Sequence, residues 1–337
     1  MREPAFWWRP PGLLSALLAP LAAGYSAVAA RRMRAQGTHI GARAGVPVIC
    51  VGNFTLGGSG KTPTAIAIAE LLTSAGRKPA LLTRGYGGSE SGPLIVDPQL
   101  HDATKTGDEA LLLAQAAPTI IAHDRALGAA VAQGAGANVI VMDDGLQNAS
   151  LQKDFTLAVI DGSRGIGNGR VFPAGPLRAP LAAQFARVNA LLVIGGSAGA
   201  AGLDGEIRAR RIPVFHGQLA PDPAAIDAIG SRKVLAFAGI GNPDKFFATV
   251  EAAGIEIAER RAFADHHRFS GEEAGDLIMQ AEREGLRLLT TAKDHARMSG
   301  DPNLAALAAR AHVLPVRLNV KEEAAWRDVI LRAATKV

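Results

Sequence analysis

Short apolar runs and stretches of helical spacing alternate along most of this chain. The runs at 47–53, 80–83, 119–122, 138–142, 157–160 and 191–194 have the length and content of buried strands, and 65–74 and 110–116 have helical spacing. Repetition of this kind predicts an α/β fold: a mainly parallel sheet, helices on both faces, and ligands at the C-terminal ends of the strands. Further strands are predicted at 234–238, 255–258, 287–290 and 313–318, and helices at 243–253 and 271–283. Ser270 and Glu273 have the spacing of a capping box ahead of the last of these helices. The proline-punctuated stretch 213–223 reads as a connector. The chain is thus expected to divide into an N-terminal segment, 1–40, a first α/β domain, 41–215, and a smaller α/β domain, 216–337, that closes over the site.

The N-terminal segment has a different pattern. Residues 12–30 are 19 positions without a charge, preceded by Trp7 and Trp8 and followed by Arg31, Arg32 and Arg34. Aromatic and basic flanks around an apolar run suit a membrane interface. The run is long enough to span, but it is alanine-rich and holds Pro20 and Gly24, which favours a helix lying in the membrane surface over a spanning one. Ala27-Val28-Ala29 resembles a signal-peptide cleavage site, yet the next motif uses a cytoplasmic nucleoside triphosphate.

Charge sharpens this division. Residues 1–45 hold six arginines and one glutamate, which accounts for the whole net charge of +5; the remaining 30 basic and 30 acidic residues cancel. A neutral globular part argues against nucleic-acid binding, which needs a basic face on the folded domain. No protein partner is implied. The single cysteine, Cys50, excludes a disulfide framework, and the scattered histidines His39, His101, His216, His295 and His312 suggest no metal site. Asp97, Lys105, His123, Asp124 and Asp161, near strand ends, read as solvated turn residues.

The chemistry begins after the first strand. Thr55-Leu56-Gly57-Gly58-Ser59-Gly60-Lys61-Thr62 joins that strand to a helix, which is the context of a phosphate-binding loop. Glycines let backbone N–H groups converge on phosphate oxygens, and the helix N-terminus adds a favourable dipole. Lys61 is expected to reach the β- and γ-phosphates of a nucleoside triphosphate, and the Thr62 hydroxyl to ligate Mg²⁺. Thr55 stands where the motif usually has its first glycine. The run ending Met142-Asp143-Asp144 supplies the acid for the magnesium shell, with Asp143 the expected Walker B-type residue; either acid could face the site.

The order of motifs resembles the tetraacyldisaccharide 4′-kinase family over nearly the whole chain. The resemblance rests on Phe6-Trp7-Trp8, on Val51-Gly52-Asn53-Phe54 running into the phosphate-binding loop, and on Thr83-Arg84-Gly85-Tyr86-Gly87-Gly88 and Gly107-Asp108-Glu109. It continues through Asp143-Asp144-Gly145-Leu146-Gln147, Gly167-Asn168-Gly169, Pro173-Ala174-Gly175-Pro176-Leu177-Arg178, Ala236-Phe237-Ala238-Gly239-Ile240-Gly241-Asn242-Pro243 and Phe263-Ala264-Asp265-His266-His267. It implies a P-loop kinase that moves the γ-phosphate of ATP to the 4′-hydroxyl of a tetraacylated glucosamine disaccharide 1-phosphate, a lipid A precursor, giving lipid IVA at the cytoplasmic face of the bacterial inner membrane. Asp108 and His266 are implied as the proton-handling pair, with His267 the competing histidine; Lys61, Asp143 and Asp144 complete the catalytic set. Glu109 is implied beside Thr62 and Asp143 at the metal, and Arg84, Tyr86, Gln147 and Arg178 toward the lipid. Two positions depart from the family pattern: Asn148 stands where it usually has histidine, and Ala292 where Thr-Glu-Lys-Asp has glutamate.

Two other classes also use a phosphate-binding loop. A GTPase or metallochaperone-type switch needs a guanine reader of the Asn/Thr-Lys-x-Asp type, and Thr291-Ala292-Lys293-Asp294 lacks the spacer. A membrane-associated nucleotide sensor would bind ATP without lipid-dependent turnover.

Overall fold

The computed structural model describes residues 3–35, 41–196 and 198–335, and all statements below refer to those residues. The elements run α1 (Leu13–Leu17), α2 (Ala19–Ala35), β1 (Val48–Gly52), α3 (Lys61–Ser74), β2 (Pro79–Thr83), β3 (Leu94–Ile95), α4 (Ala103–Thr106), α5 (Asp108–Ala114), β4 (Thr119–Ile121), α6 (Arg125–Gly134), β5 (Val139–Asp143) and β6 (Phe155–Asp161). They continue as α7 (Leu181–Phe185), β7 (Ala190–Ile194), α8 (Asp204–Arg210), β8 (Val214–Pro221), α9 (Pro223–Ile229), β9 (Val234–Ala238), α10 (Pro243–Ala252) and β10 (Ile257–Ala262). The last are α11 (Gly271–Glu284), β11 (Arg287–Thr290), α12 (Ala292–Met298), α13 (Ala305–Arg310), β12 (His312–Val313), β13 (Val316–Val320) and α14 (Glu323–Ala333).

Nine strands form one sheet in the order β13-β8-β7-β6-β1-β5-β2-β4-β3, and four form a second in the order β10-β9-β11-β12. Only the edge pairs β13–β8 and β3–β4 are antiparallel. β1 and β5 sit centrally and every residue of each is buried, as continuous apolar strands between two helical layers must be. Helix starts follow their local chemistry: Asp124 accepts from the N–H groups of Ala126 and Leu127, and Ser270 and Glu273 form the expected capping box.

The structure differs from the pattern-based reading around 213–223 and at the C-terminus. The expected connector is β8, and the expected boundary after residue 215 falls inside it. β8 pairs with β7 through Val214–Gly217 and with β13 through Gly217–Pro221, so each neighbour uses half of the strand. Pairing shared in this way leaves little alternation to read, and prolines flank the strand. The strand expected at 313–318 is two short ones: Leu314 and Pro315 carry the chain from β12 in the small sheet to β13 in the large one. α14 follows β13 onto α3, where Trp326 and Ile330 join the core with Ile68 and Leu72. The small unit is therefore an insertion between two parts of the large sheet. The strand expected at 255–258 is β10, displaced to 257–262 and carrying a register shift between Ile257 and Glu259.

The uncharged N-terminal run breaks at Leu18, because Pro20 has no N–H to donate back across a continuous helix. No described helix is long and apolar enough to cross a membrane. Leu13, Leu14, Leu17, Leu21 and Val28 are all more than half exposed, so α1 and α2 present an uncovered apolar face.

The C-terminal return predicts a stability effect. Trp326 is 4% exposed and meets Phe215 edge-on, with ring centroids 5.4 Å apart. Trp326→Ala is expected to lower the unfolding free energy by about 3–5 kcal/mol. Urea titration checks this; a loss below about 1 kcal/mol would show that α14 is not part of the large unit's core.

Candidate active site

The C-terminal ends of the central strands meet loops of the small unit across a cleft of about 2060 Å³. Leu56, Gly57, Gly58, Ser59, Gly60, Lys61 and Thr62 all line it. Gly60 precedes α3 with φ 92°, a left-handed conformation that favours glycine, and the nearest atom to a Cβ there would be Ile194 Cδ1, the movable end of a side chain. Thr55 forms an isolated antiparallel bridge with Leu177 and does not line the cleft, and its φ lies outside the positive region that favours glycine.

Parallel pairing of β1 with β5 sets Val51 beside Asp143 and so brings the acid to the start of α3. Thr62 Oγ1 lies 3.4 Å from Asp143 Oδ2 as its donor. Asp143 Oδ1 and Ser59 Oγ are buried without a hydrogen-bond partner among the described residues. Burial, then the nearby Glu109 carboxylate, push Asp143 up to about 7, with Lys61 opposing. Asp144, at φ 54°, turns elsewhere: its carboxylate lies 3.8 Å from Lys61 Nζ and 3.1 Å from Arg178. Burial would raise Asp144, but Lys61 and Arg178 outweigh it and hold the group at about 2. The two adjacent acids therefore have different environments.

Asp108 opens α5 and is 3% exposed. Its Oδ1 accepts from the Glu109 N–H at 2.9 Å; its Oδ2 accepts from Arg297 Nε at 2.7 Å and lies 3.3 Å from His266 Nδ1. Burial alone would raise this carboxyl. The His266 hydrogen bond and the charges of Lys293 and Arg297 outweigh it and hold Asp108 well below the usual carboxylate range. His266 follows β10 at φ 55°, its backbone N–H bonded to Gly239 O, and its ring meets Tyr86 edge-on at 5.3 Å. The Asp108 hydrogen bond raises the His266 pKa against burial. With Nδ1 committed to Asp108, Nε2 is the nitrogen left to accept a proton. His267 is occupied otherwise: it stacks on Phe263 and bonds the capping Glu273 at 3.0 Å.

Comparison with known proteins follows the same lines. The tetraacyldisaccharide-1-P 4′-kinase family model matches residues 14–335. The chain is 50% identical over 337 residues to a tetraacyldisaccharide 4′-kinase of Nitrobacter winogradskyi, covering 100% of this chain and 99% of that protein. It is 57% identical over 319 residues to one of Methylobacterium sp. strain 4-46, covering 94% and 93%. A crystal structure of Aquifex aeolicus LpxK in complex with ATP superposes with a TM-score of 0.74 at 25% identity, over 96% of this chain and 100% of that one. This chain belongs to the tetraacyldisaccharide 4′-kinase family.

Seen as a member of that family, the site gathers most of the expected residues and adds two. Arg84, Tyr86, Gln147 and Arg178 line the same cleft. Gln147 is also structural, donating to Asn53 O and Gln184 Oε1. Glu109, expected at the metal, forms a 2.5 Å ion pair with Lys293. Lys293 and Arg297 were not singled out from the sequence as site residues, yet they hold Glu109 and Asp108 from the small unit. Their four-residue spacing at the start of a helix after a strand was the available signal. Of the family departures, Asn148 lines the cleft and accepts from Ser150 N and Oγ, closing its own turn. Ala292 follows the cap Thr291, whose hydroxyl accepts from Asp294 N.

The Asp108 contact predicts a titration. By NMR, His266 is expected to titrate above the ordinary imidazole value of about 6.5. Asp108→Asn should lower that midpoint, since the charge stabilising the imidazolium is gone. An unchanged midpoint in the variant would show that the pair is not coupled.

Proposed function

We propose that the cleft carries out ATP-dependent phosphorylation of the 4′-hydroxyl of a tetraacyldisaccharide 1-phosphate lipid. The observation that carries this reading is the juxtaposition of a phosphate-binding loop with a buried carboxylate–histidine pair, Asp108 and His266, in one cleft of a chain of this family. The phosphates of ATP lie on the backbone of 56–62, with Lys61 toward the β- and γ-oxygens. Thr62 and Asp143 suit Mg²⁺. Asp143 is a buried carboxylate with an unpartnered oxygen and a raised pKa, the state a divalent cation relieves. When bound, Mg²⁺ offsets charge on the phosphates. Glu109 stands next to this pair, tied to Lys293.

His266 Nε2 takes the proton of the sugar hydroxyl as its oxygen bonds to the γ-phosphorus. The bond from that phosphorus to the β-bridging oxygen breaks, and its electron pair leaves with ADP. Asp108 acts through His266: all its oxygens are engaged and its pKa is depressed, so it orients the ring and does not take the proton itself. Lys61 and Arg178 fix Asp144 at the loop; Arg84, Tyr86 and Arg178 offer donors to the acceptor, and Gln147, whose N–H groups serve Asn53 and Gln184, offers its amide oxygen. The acceptor is a lipid, and the exposed leucines of α1 and α2 supply a face to lie on the inner membrane from its cytoplasmic side. Exposed Arg31, Arg32 and Arg34 add roughly 1 kcal/mol each toward anionic headgroups.

Incubation with γ-labelled ATP and the lipid acceptor in detergent, followed by separation of the lipids, tests the activity. Labelled lipid is expected from the wild type. Asp108→Ala, His266→Ala and the double variant should each lose about 10²–10⁴ in kcat, and the double no more than the worse single, because both residues serve one proton transfer. Losses that add in log kcat would give the two residues separate roles.

The membrane face has its own test. Leu14→Ser/Leu17→Ser/Leu21→Ser is expected to weaken flotation with anionic vesicles by more than about tenfold. KM for the lipid should rise and KM for ATP should not. Full vesicle binding by the triple variant would place attachment elsewhere.

A further inference from the structure

Glu3 reaches the phosphate-binding loop from far away in sequence. Its Oε2 accepts from Trp8 Nε1 at 3.0 Å and from Arg164 at 2.7 Å, and the Arg164 guanidinium lies 4.9 Å over the Trp8 ring. Its other oxygen lies against Gly57: a Cβ built there would sit 2.0 Å from Glu3 Oε1. Gly57 has φ 101°, so the loop takes at this point a conformation that only glycine adopts easily. The same N-terminal stretch is clamped to the loop between β6 and α7. Asn168 N donates to Trp7 O at 2.7 Å, Trp7 Nε1 to Pro173 O at 3.1 Å, and Ser15 Oγ to Ala174 O at 3.0 Å. That loop in turn holds the start of the phosphate-binding loop, with Leu56 N donating to Pro176 O at 2.8 Å.

We propose that Glu3 is a positioning residue for nucleotide binding: gripped by Arg164 and Trp8, it props the phosphate-binding loop at Gly57 and ties ATP affinity to the seating of the N-terminal helices. The inference rests on reading 56–62 as the loop that receives the nucleotide. A carboxylate near phosphates also repels them. Here it is half of a 2.7 Å ion pair, whose field falls off faster than that of a lone charge, so holding the loop in one conformation outweighs the repulsion. Glu3 and Arg164 both line the cleft, so the brace stands beside the nucleotide and not behind the fold.

The test uses the full chain, with ATP binding by calorimetry and with kcat and KM measured for Glu3→Ala, Glu3→Asp, Glu3→Gln, Arg164→Ala and Glu3→Ala/Arg164→Ala. Glu3→Ala and Glu3→Asp should raise KM for ATP about tenfold with kcat within about twofold, the pattern of lost uniform binding. Glu3→Gln should stay near wild type, because its amide oxygen accepts from the same two donors, whereas Glu3→Asp is a methylene too short to reach Gly57. Arg164→Ala should raise KM for ATP at least as much as Glu3→Ala, since it also leaves the Glu3 carboxylate unpaired in the cleft, and the double variant should be no worse than Arg164→Ala. Thermal unfolding of each variant separates this from general destabilisation, which lowers kcat with the melting temperature. An unchanged or lower KM for ATP in Glu3→Ala overturns the proposal, as does a Glu3→Gln variant impaired as badly as Glu3→Ala. Lys61→Ala serves as the control. If it binds ATP like the wild type, the reading of the loop itself fails; if it does not while Glu3→Ala binds normally, only the brace is refuted.

Discussion

Asp108 is a nearly fully buried carboxylate whose oxygens serve Glu109 N, Arg297 Nε and His266 Nδ1. The first donor belongs to the large unit and the other two to the small one, so a single side chain joins the units and sets the histidine. Breaking a buried pair costs about 3–5 kcal/mol, because the remaining charge stays buried. The two units are thereby held together at the Asp108–His266 pair. Lys293 on Glu109 and Lys245 on Asp161 repeat the arrangement, each a cation from the small unit on a strand-end or helix-start acid of the large one.

Asp143 is the contrasting case. It lies one position from Asp144, yet Asp144 is paired with two cations, while among the described residues no cation lies within ion-pair distance of Asp143 and its pKa is raised. Burial of an acid without a counter-charge is unfavourable on its own. In the proposed mechanism that cost is what a cation arriving with the nucleotide relieves. Environment alone thus sets the raised Asp143 apart from the depressed Asp108 and Asp144.

The loop between β6 and α7 links these features to the N-terminus. Asp161 at its start pairs with Lys245, Arg164 grips Glu3, Asn168 and Ala174 hold Trp7 and Ser15, and Arg178 at its end bonds Thr55 O and Asp144. The apolar face of α1 and α2 is therefore joined to the nucleotide loop by a short chain of hydrogen bonds.

Much of this was legible in the residues. A buried strand, a glycine-rich turn and Lys61-Thr62 predict a phosphate site, because backbone geometry there is local. The acid at the end of β5 follows from the same logic, as does the Ser270–Glu273 cap. The uncharged run is legible too, and it forms the exposed apolar face of α1 and α2. What only the tertiary structure decided depends on contacts between distant segments. β8 and β13 are strands because they pair with each other across the inserted small unit. His266 and not His267 faces Asp108, because the backbone turns at φ 55° and Glu273 claims the neighbour. Lys293 and Arg297 are ordinary charged residues in sequence. They meet Glu109 and Asp108 from more than a hundred positions away, a separation that no local pattern encodes.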